Sequence, residues 1–204
     1  MKTRWLLPLA LAACLVLTAC HKSVEPTPTP AESDPPTPPV EETQPLVLDS
    51  LNVEFVVDGR DPDALVALRA DFPEALRTAL EQQSVTVGEI AVTFGTSGEA
   101  TEAALQSGEV QLAFLSAEDY YPYRSGQIVA AEQGSEPDLS LGLIVSAVSD
   151  DAEADDRFAS SLRDALPALT DALASYANEP YGYDPAQLEQ LAALYEQESA
   201  GQVH

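Results

Sequence analysis

Between Val92 and Tyr123 the chain reads strand, glycine-flanked turn, short helix, turn, strand and then an aromatic cluster. Val92-Thr93-Phe94 closes a β-branched and aromatic run, and Gly95-Thr96-Ser97-Gly98 breaks it. From Glu99 to Gln106 the residues Ala100, Ala103, Ala104 and Leu105 fall at helical spacing. Ser107-Gly108 stops that pattern, and Val110 to Leu115 is a second strand-length apolar run. Two strands joined through one helix make a βαβ unit, whose right-handed crossover implies parallel neighbours in a covered sheet. The turns at the carboxyl ends of such strands are where open α/β sheets hold ligands.

The flanking patterns extend this unit. Leu51 to Val57 alternates and then becomes continuously apolar, as a strand buried on both faces does. Asp58-Gly59-Arg60-Asp61-Pro62 is the turn after it. Asp61 or Asp63 caps a helix from about Asp63 to Gln83, with Leu65, Leu68, Phe72, Leu76 and Leu80 as its apolar stripe. Pro73 is predicted to kink or split that helix. Val85 to Phe94 is the second strand, and Val110 to Leu115 the third. Gln127–Ala131 and Leu139–Val148 read as a hairpin about Ser135-Glu136-Pro137-Asp138. The acidic run Ser149 to Asp156 suits the positive end of a helix from about Asp155 to Ala177, which Pro167 threatens to kink. Asn178 to Tyr183 ends it, and Asp184-Pro185 opens a last helix with Leu188, Leu191, Leu194 and Tyr195 inward. The predicted class is α/β: a single three-layer lobe over residues 46–204, with a mostly parallel sheet and helices on both faces.

The first residues read as an export address. Lys2 and Arg4 precede an apolar core from Leu6 to Val16, and Leu17-Thr18-Ala19-Cys20 resembles a bacterial lipobox. That resemblance implies a signal peptide over residues 1–19, cleavage before Cys20, and a lipid on its sulfur. The mature chain then lies on the outer face of the cell membrane, held by that lipid. Cys14 leaves with the signal, so no thiol remains for a disulfide, a metal or a nucleophile. Residues 21–45 carry half of the sixteen prolines among Thr, Glu, Ser and Asp, the composition of an extended tether.

Charge excludes some partners. The chain has a formal net charge of −25, and after Cys20 its basic residues are Lys22, Arg60, Arg69, Arg77, Arg124, Arg157 and Arg163. Nucleic acid needs a basic surface, so it is not an expected partner. Catalysis lacks parts as well. The histidines are His21 and His204, and no nucleophile elbow, metal-ligand cluster or phosphate loop with lysine occurs. Carboxylate pairs such as Asp150-Asp151 are background in so acidic a chain. No enzyme activity, cofactor or metal is expected.

The run Glu102-Ala103-Ala104-Leu105-Gln106-Ser107-Gly108-Glu109-Val110-Gln111-Leu112-Ala113-Phe114-Leu115 resembles the first-lobe segment of substrate-binding proteins of phosphonate-type ABC transporters. In that family a helix ending Ala-Leu-x-x-Gly leads into Val-Asp-hydrophobic-Ala, with a tyrosine a few residues on; Tyr120 or Tyr121 takes that place here. The resemblance implies a periplasmic-binding-protein-like fold of the second type and an ABC permease as partner. It also implies a small polar or anionic solute as ligand. Two departures stand out. The segment between Leu115 and Leu139 is too short for a second α/β lobe, and the family's Ser-Thr-Ser-Gly anion motif has no counterpart between Tyr123 and Ser149. Gln111 stands where the family usually has Asp.

The candidate ligand residues are Asp58, Arg60, Thr96, Ser97, Ser116, Tyr120 and Tyr121. Arg60 pairs with an anionic ligand or with Asp61 or Asp63. Thr96 and Ser97 hold an anion or a carbonyl oxygen, or one of them is a plain helix cap. Ser116 follows the third strand. Tyr120 and Tyr121, with Tyr123, form a binding wall or interface, or pack over the sheet edge. The leading expectation is a lipid-anchored solute-binding-type lobe whose cleft is shallow or is completed by a permease or a second copy. The alternative is a one-lobe surface interaction module with no transport role.

Overall fold

Eleven residues, Leu46–Val56, form β1, and Val85–Gly95 forms β2 beside it in parallel register. The computed structural model describes residues 44–57 and 61–201. The expected signal peptide, Cys20, the expected tether as far as residue 43, Asp58 and Arg60 lie outside the described residues. β1 begins five residues earlier than its pattern predicts, and the reason is a change of pleat. Leu46 and Leu48 pack against the same core as Leu51, Val53 and Phe55, so the inward face changes parity between them. β2 does the same with Val85 and Val87, then Ile90 and Val92. The paired register omits Asp49 and Gly88, where both strands change parity together. Gly88 is required there, because a Cβ would come within 2.5 Å of the Asp49 carbonyl oxygen.

Helix α1 (Pro62–Glu81) crosses from β1 to β2. Asp61 is its cap, accepting from the Asp63 amide, and Pro62 sits in its first turn. Pro73 lies inside α1 without dividing it. The Arg77 guanidinium donates to the carbonyls of Val87 and Gly88 at the parity change. Helix α2 (Gly98–Ser107) returns to β3 (Leu112–Ser116), which pairs in parallel with the other side of β1. Gly108, with φ of 73°, ends α2 in the left-handed conformation. The predicted β-α-β-α-β order is therefore present.

After β3 the direction changes. The four-residue α3 (Ala117–Tyr120) leads to β4 (Gln127–Glu132), and β5 (Gly142–Ser146) folds back between β3 and β4, antiparallel to both. The predicted hairpin is there. Because it returns on itself, the sheet is mixed, parallel on the β2-β1-β3 side and antiparallel beyond. Helix α4 (Ala152–Leu173) starts at Asp151, whose side chain accepts from the Glu153 amide, and runs unbroken through Pro167. β6 (Tyr181–Gly182) pairs with β4, and α5 (Pro185–Gly201) closes the described chain. The strand order is β2-β1-β3-β5-β4-β6.

Two cores flank the sheet. One gathers α1 and α4 against Phe55, Phe114 and Ile144; the other gathers α2, α3 and α5 against Ala113, Leu115, Leu143 and Val145. This is the predicted three-layer lobe. Since α1 and α2 leave the parallel strands on opposite faces, the carboxyl ends of β1 and β3 form its topological switch point. Replacing Gly88 with Ala is expected to cost about 1–3 kcal/mol in urea unfolding, because the Asp49 backbone must move. An unchanged midpoint contradicts the close approach.

Candidate functional site

The ladder between β1 and β3 ends at the pair Phe55–Phe114. Past it the strands separate, and the freed carbonyls need a donor. Tyr176, just beyond α4, supplies it: its hydroxyl lies 3.0 Å from the Val56 oxygen and 3.3 Å from the Phe114 oxygen. Its ring packs edge-on against Phe55 at 4.8 Å, and Phe55 stacks on Phe114 at 4.1 Å. Over Tyr176 lies a cavity of about 260 Å³. Val56, Leu115 and Ser116 bound it on the parallel side, Glu118 and Asp119 on α3, and Glu132, Ser140, Gly142, Tyr176 and Tyr181 on the antiparallel side.

The polar wall is tightly cross-bonded. Ser116 caps α3, accepting from the Asp119 amide and donating to Asp119 Oδ2 at 2.7 Å. This Ser-x-x-Asp spacing is a capping-box signal. Glu132 is buried, and its carboxylate accepts from the amides of Gly142, Asn178 and Glu179. It therefore ties β5 to the segment after α4. The Ser140 hydroxyl donates to Asp138. Glu118 is exposed at the rim, and among the described residues nothing occupies its carboxylate.

Of the predicted ligand residues among those described, Ser116 alone lines this cavity. Thr96 is exposed, and Ser97 is the cap of α2, accepting from the Ala100 amide. The turn is no open anion site, because the Asp119 carboxylate already sits against Gly98; a Cβ there would fall 2.0 Å from Asp119 Cγ. Glu54 crowds Gly95 from the other side while accepting from Thr93 and Thr101. Tyr120 and Tyr121 are core residues, not a binding wall. Their hydroxyls donate to the carbonyls of Gly126 and Leu188, and the Tyr121 ring stacks on Tyr195 at 5.7 Å. Burial pushes the Tyr120 hydroxyl up to about 12 and raises Tyr121 as well. Tyr123 and Tyr183 are the exposed rings, each at 46%.

Sequence reasoning missed Glu118, Asp119, Glu132, Ser140, Gly142 and Tyr176. Two left a signal: the capping spacing at Ser116–Asp119, and a carboxylate ending the apolar run Ile128 to Glu132. Tyr176 left none, since its partners lie 62 and 120 positions away.

Comparison with protein-family models returns no match, and neither does comparison with curated proteins. Among solved structures the chain is similar to XAC2383 from Xanthomonas citri bound to chloride ion, at a TM-score of 0.51 and 8% identity, over 72% of this chain and 98% of that one. XAC2383 bound to ATP gives a TM-score of 0.51 and 7% identity, over 76% of this chain and 100% of that one. At such identity the likeness is one of fold.

Behind Asp119 lies Glu102 of α2, fully buried. Ser125 lies close by, yet neither carboxyl oxygen of Glu102 makes a hydrogen bond of ordinary geometry. Burial raises this carboxyl to about 7; Ser125 pulls it partly back, and the charge of Asp119 adds to the rise. The fold thus binds the Glu102 proton more tightly than the unfolded chain does. Its share of stability is present at low pH and lost as pH climbs from about 4.5 to about 7. Glu102→Gln is expected to remove that slope and to gain about 1–3 kcal/mol at pH 8. Parallel unfolding profiles for the two proteins from pH 4 to 8 contradict this.

Proposed function

We propose that this chain is a solute-binding-type lobe, carried at the membrane surface by a lipid on Cys20, that takes a small polar solute in the cavity over Tyr176. The observation that carries the reading is position: the cavity opens at the carboxyl ends of β1 and β3, at the switch point of the sheet. Its size suits a metabolite, and its wall mixes hydroxyls and carboxylates over an aromatic floor. XAC2383, a chain covered in full by this fold, is bound to ATP. That supports a lobe of this extent holding a small molecule. An ABC permease, or a second copy of the chain, completes the closure that a second lobe would give, and the signal peptide and tether suit delivery at a membrane. The alternative of a surface interaction module drew on the missing second lobe and on exposed tyrosines; of those rings Tyr120 and Tyr121 are buried and Tyr123 is exposed.

The test is thermal-shift screening of the full chain against sugars, amino acids, amines and phosphonates, repeated with Ser140→Trp to fill the cavity from its exposed side. At least one class is expected to raise the wild-type midpoint by 2 °C or more, roughly the effect of ligand in clear excess over Kd, and Ser140→Trp to abolish that rise. No stabilisation by any class, or the same stabilisation in Ser140→Trp, overturns the reading.

A further inference from the structure

We propose that this cavity selects small organic cations, amines or quaternary ammonium compounds, over phosphate-type anions. The inference rests on the cavity being the solute site, and it concerns which charge that site accepts. It follows from where the donors point. An anion needs N–H or O–H groups directed at it, whereas a cation needs acceptor oxygens. Around this cavity the donors are already turned into the wall. The Ser116 hydroxyl donates to Asp119, the Ser140 hydroxyl to Asp138, the Gly142 amide to Glu132, and the Tyr176 hydroxyl to backbone carbonyls. Even the amides of Glu118 and Asp119 at the start of α3 are used, by the Leu139 carbonyl and the Ser116 oxygen. Apart from the Tyr181 hydroxyl, what remains facing the space is acceptor oxygen, with the Glu118 carboxylate at the rim without a partner among the described residues.

The arginines add a second, independent line. None of the described arginines lines the cavity, and each has an occupation elsewhere. Arg69 lies over the Phe94 ring and Arg77 on the β2 carbonyls. Arg124 lies against Tyr121, Arg157 on the Gln44 carbonyl, and Arg163 on the Val129 carbonyl and the Tyr183 ring. The net charge of −25 draws cations toward the surface and repels anions. An organic cation fits better than a metal ion, since the described residues hold no metal-ligand cluster. Tyr176 and Tyr181 also give the cavity aromatic surface of the kind that ammonium groups favour.

The test is titration calorimetry of the full chain with putrescine and choline as cations, and inorganic phosphate and methylphosphonate as anions, at fixed ionic strength. At least one cation is expected to bind and both anions to give no heat. Glu118→Gln is expected to weaken the cation about tenfold, and Ser140→Trp to abolish its binding. Anion binding that Ser140→Trp removes, with no cation binding, overturns the charge preference and leaves the solute cavity standing. No heat from any of the four probes overturns the cation inference; neutral solutes in the thermal screen then decide the cavity itself. Cation binding that neither variant changes overturns it too, by marking diffuse attraction to an acidic surface.

Discussion

A single hydroxyl decides the shape of this lobe where it matters most. β1 and β3 stop pairing after Phe55 and Phe114, and the Tyr176 hydroxyl meets the carbonyls released there. Without a donor at that point, separating two buried strands leaves unsatisfied acceptors, at roughly 1–3 kcal/mol each. With it, the strands diverge and a cavity opens over Tyr176. Tyr176 reaches the gap from the end of α4, so the length and seating of that helix set the floor of the cavity. Glu132 completes the arrangement by accepting from the amides of Asn178 and Glu179, which fixes the segment that follows Tyr176.

The same economy governs the few cations. Arg77 and Arg163 come from helices on one face of the sheet, and each donates to carbonyls at a strand irregularity. One is the parity change at Gly88; the other is the register shift between Ile128 and Ala130. Positive charge in the described part of this acidic chain thus goes into backbone satisfaction and ring contacts. The cavity is left to carboxylates and hydroxyls.

Much of the fold was legible because it rests on local periodicity. The βαβ unit, the hairpin, the long helices and the caps, narrowed to Asp61 or Asp63 and to Thr96 or Ser97, all follow from patterns within a few residues. The failures share a physical origin. Leu46 to Leu48 lost their strand pattern because Asp49-Ser50 shifts the pleat, and such a shift shows only when the partner strand shifts with it. Pro73 was expected to kink or split its helix and Pro167 to kink its own, and each lies inside one continuous helix packed on the sheet. Tyr120 and Tyr121 looked like a binding surface because aromatic residues with polar tips suit both core and wall; the carbonyls of Gly126 and Leu188 decide for the core. The cavity was the least legible part. Its walls come from the ends of β1 and β3, from α3, β4, β5 and β6, and from the segment after α4; the pattern marked only the two parallel strand ends, at Val56 and at Leu115–Ser116.

The claim that joins these observations is that the space opened by the parting of β1 and β3 is where a solute sits. Amide chemical-shift mapping of the isotopically labelled full chain, titrated with putrescine, tests it directly. The largest shifts are expected at Val56, Ser116, Gly142 and Tyr181, around one cavity. Shifts concentrated at the end of α2 and Gln111, or spread evenly over the acidic surface, contradict it.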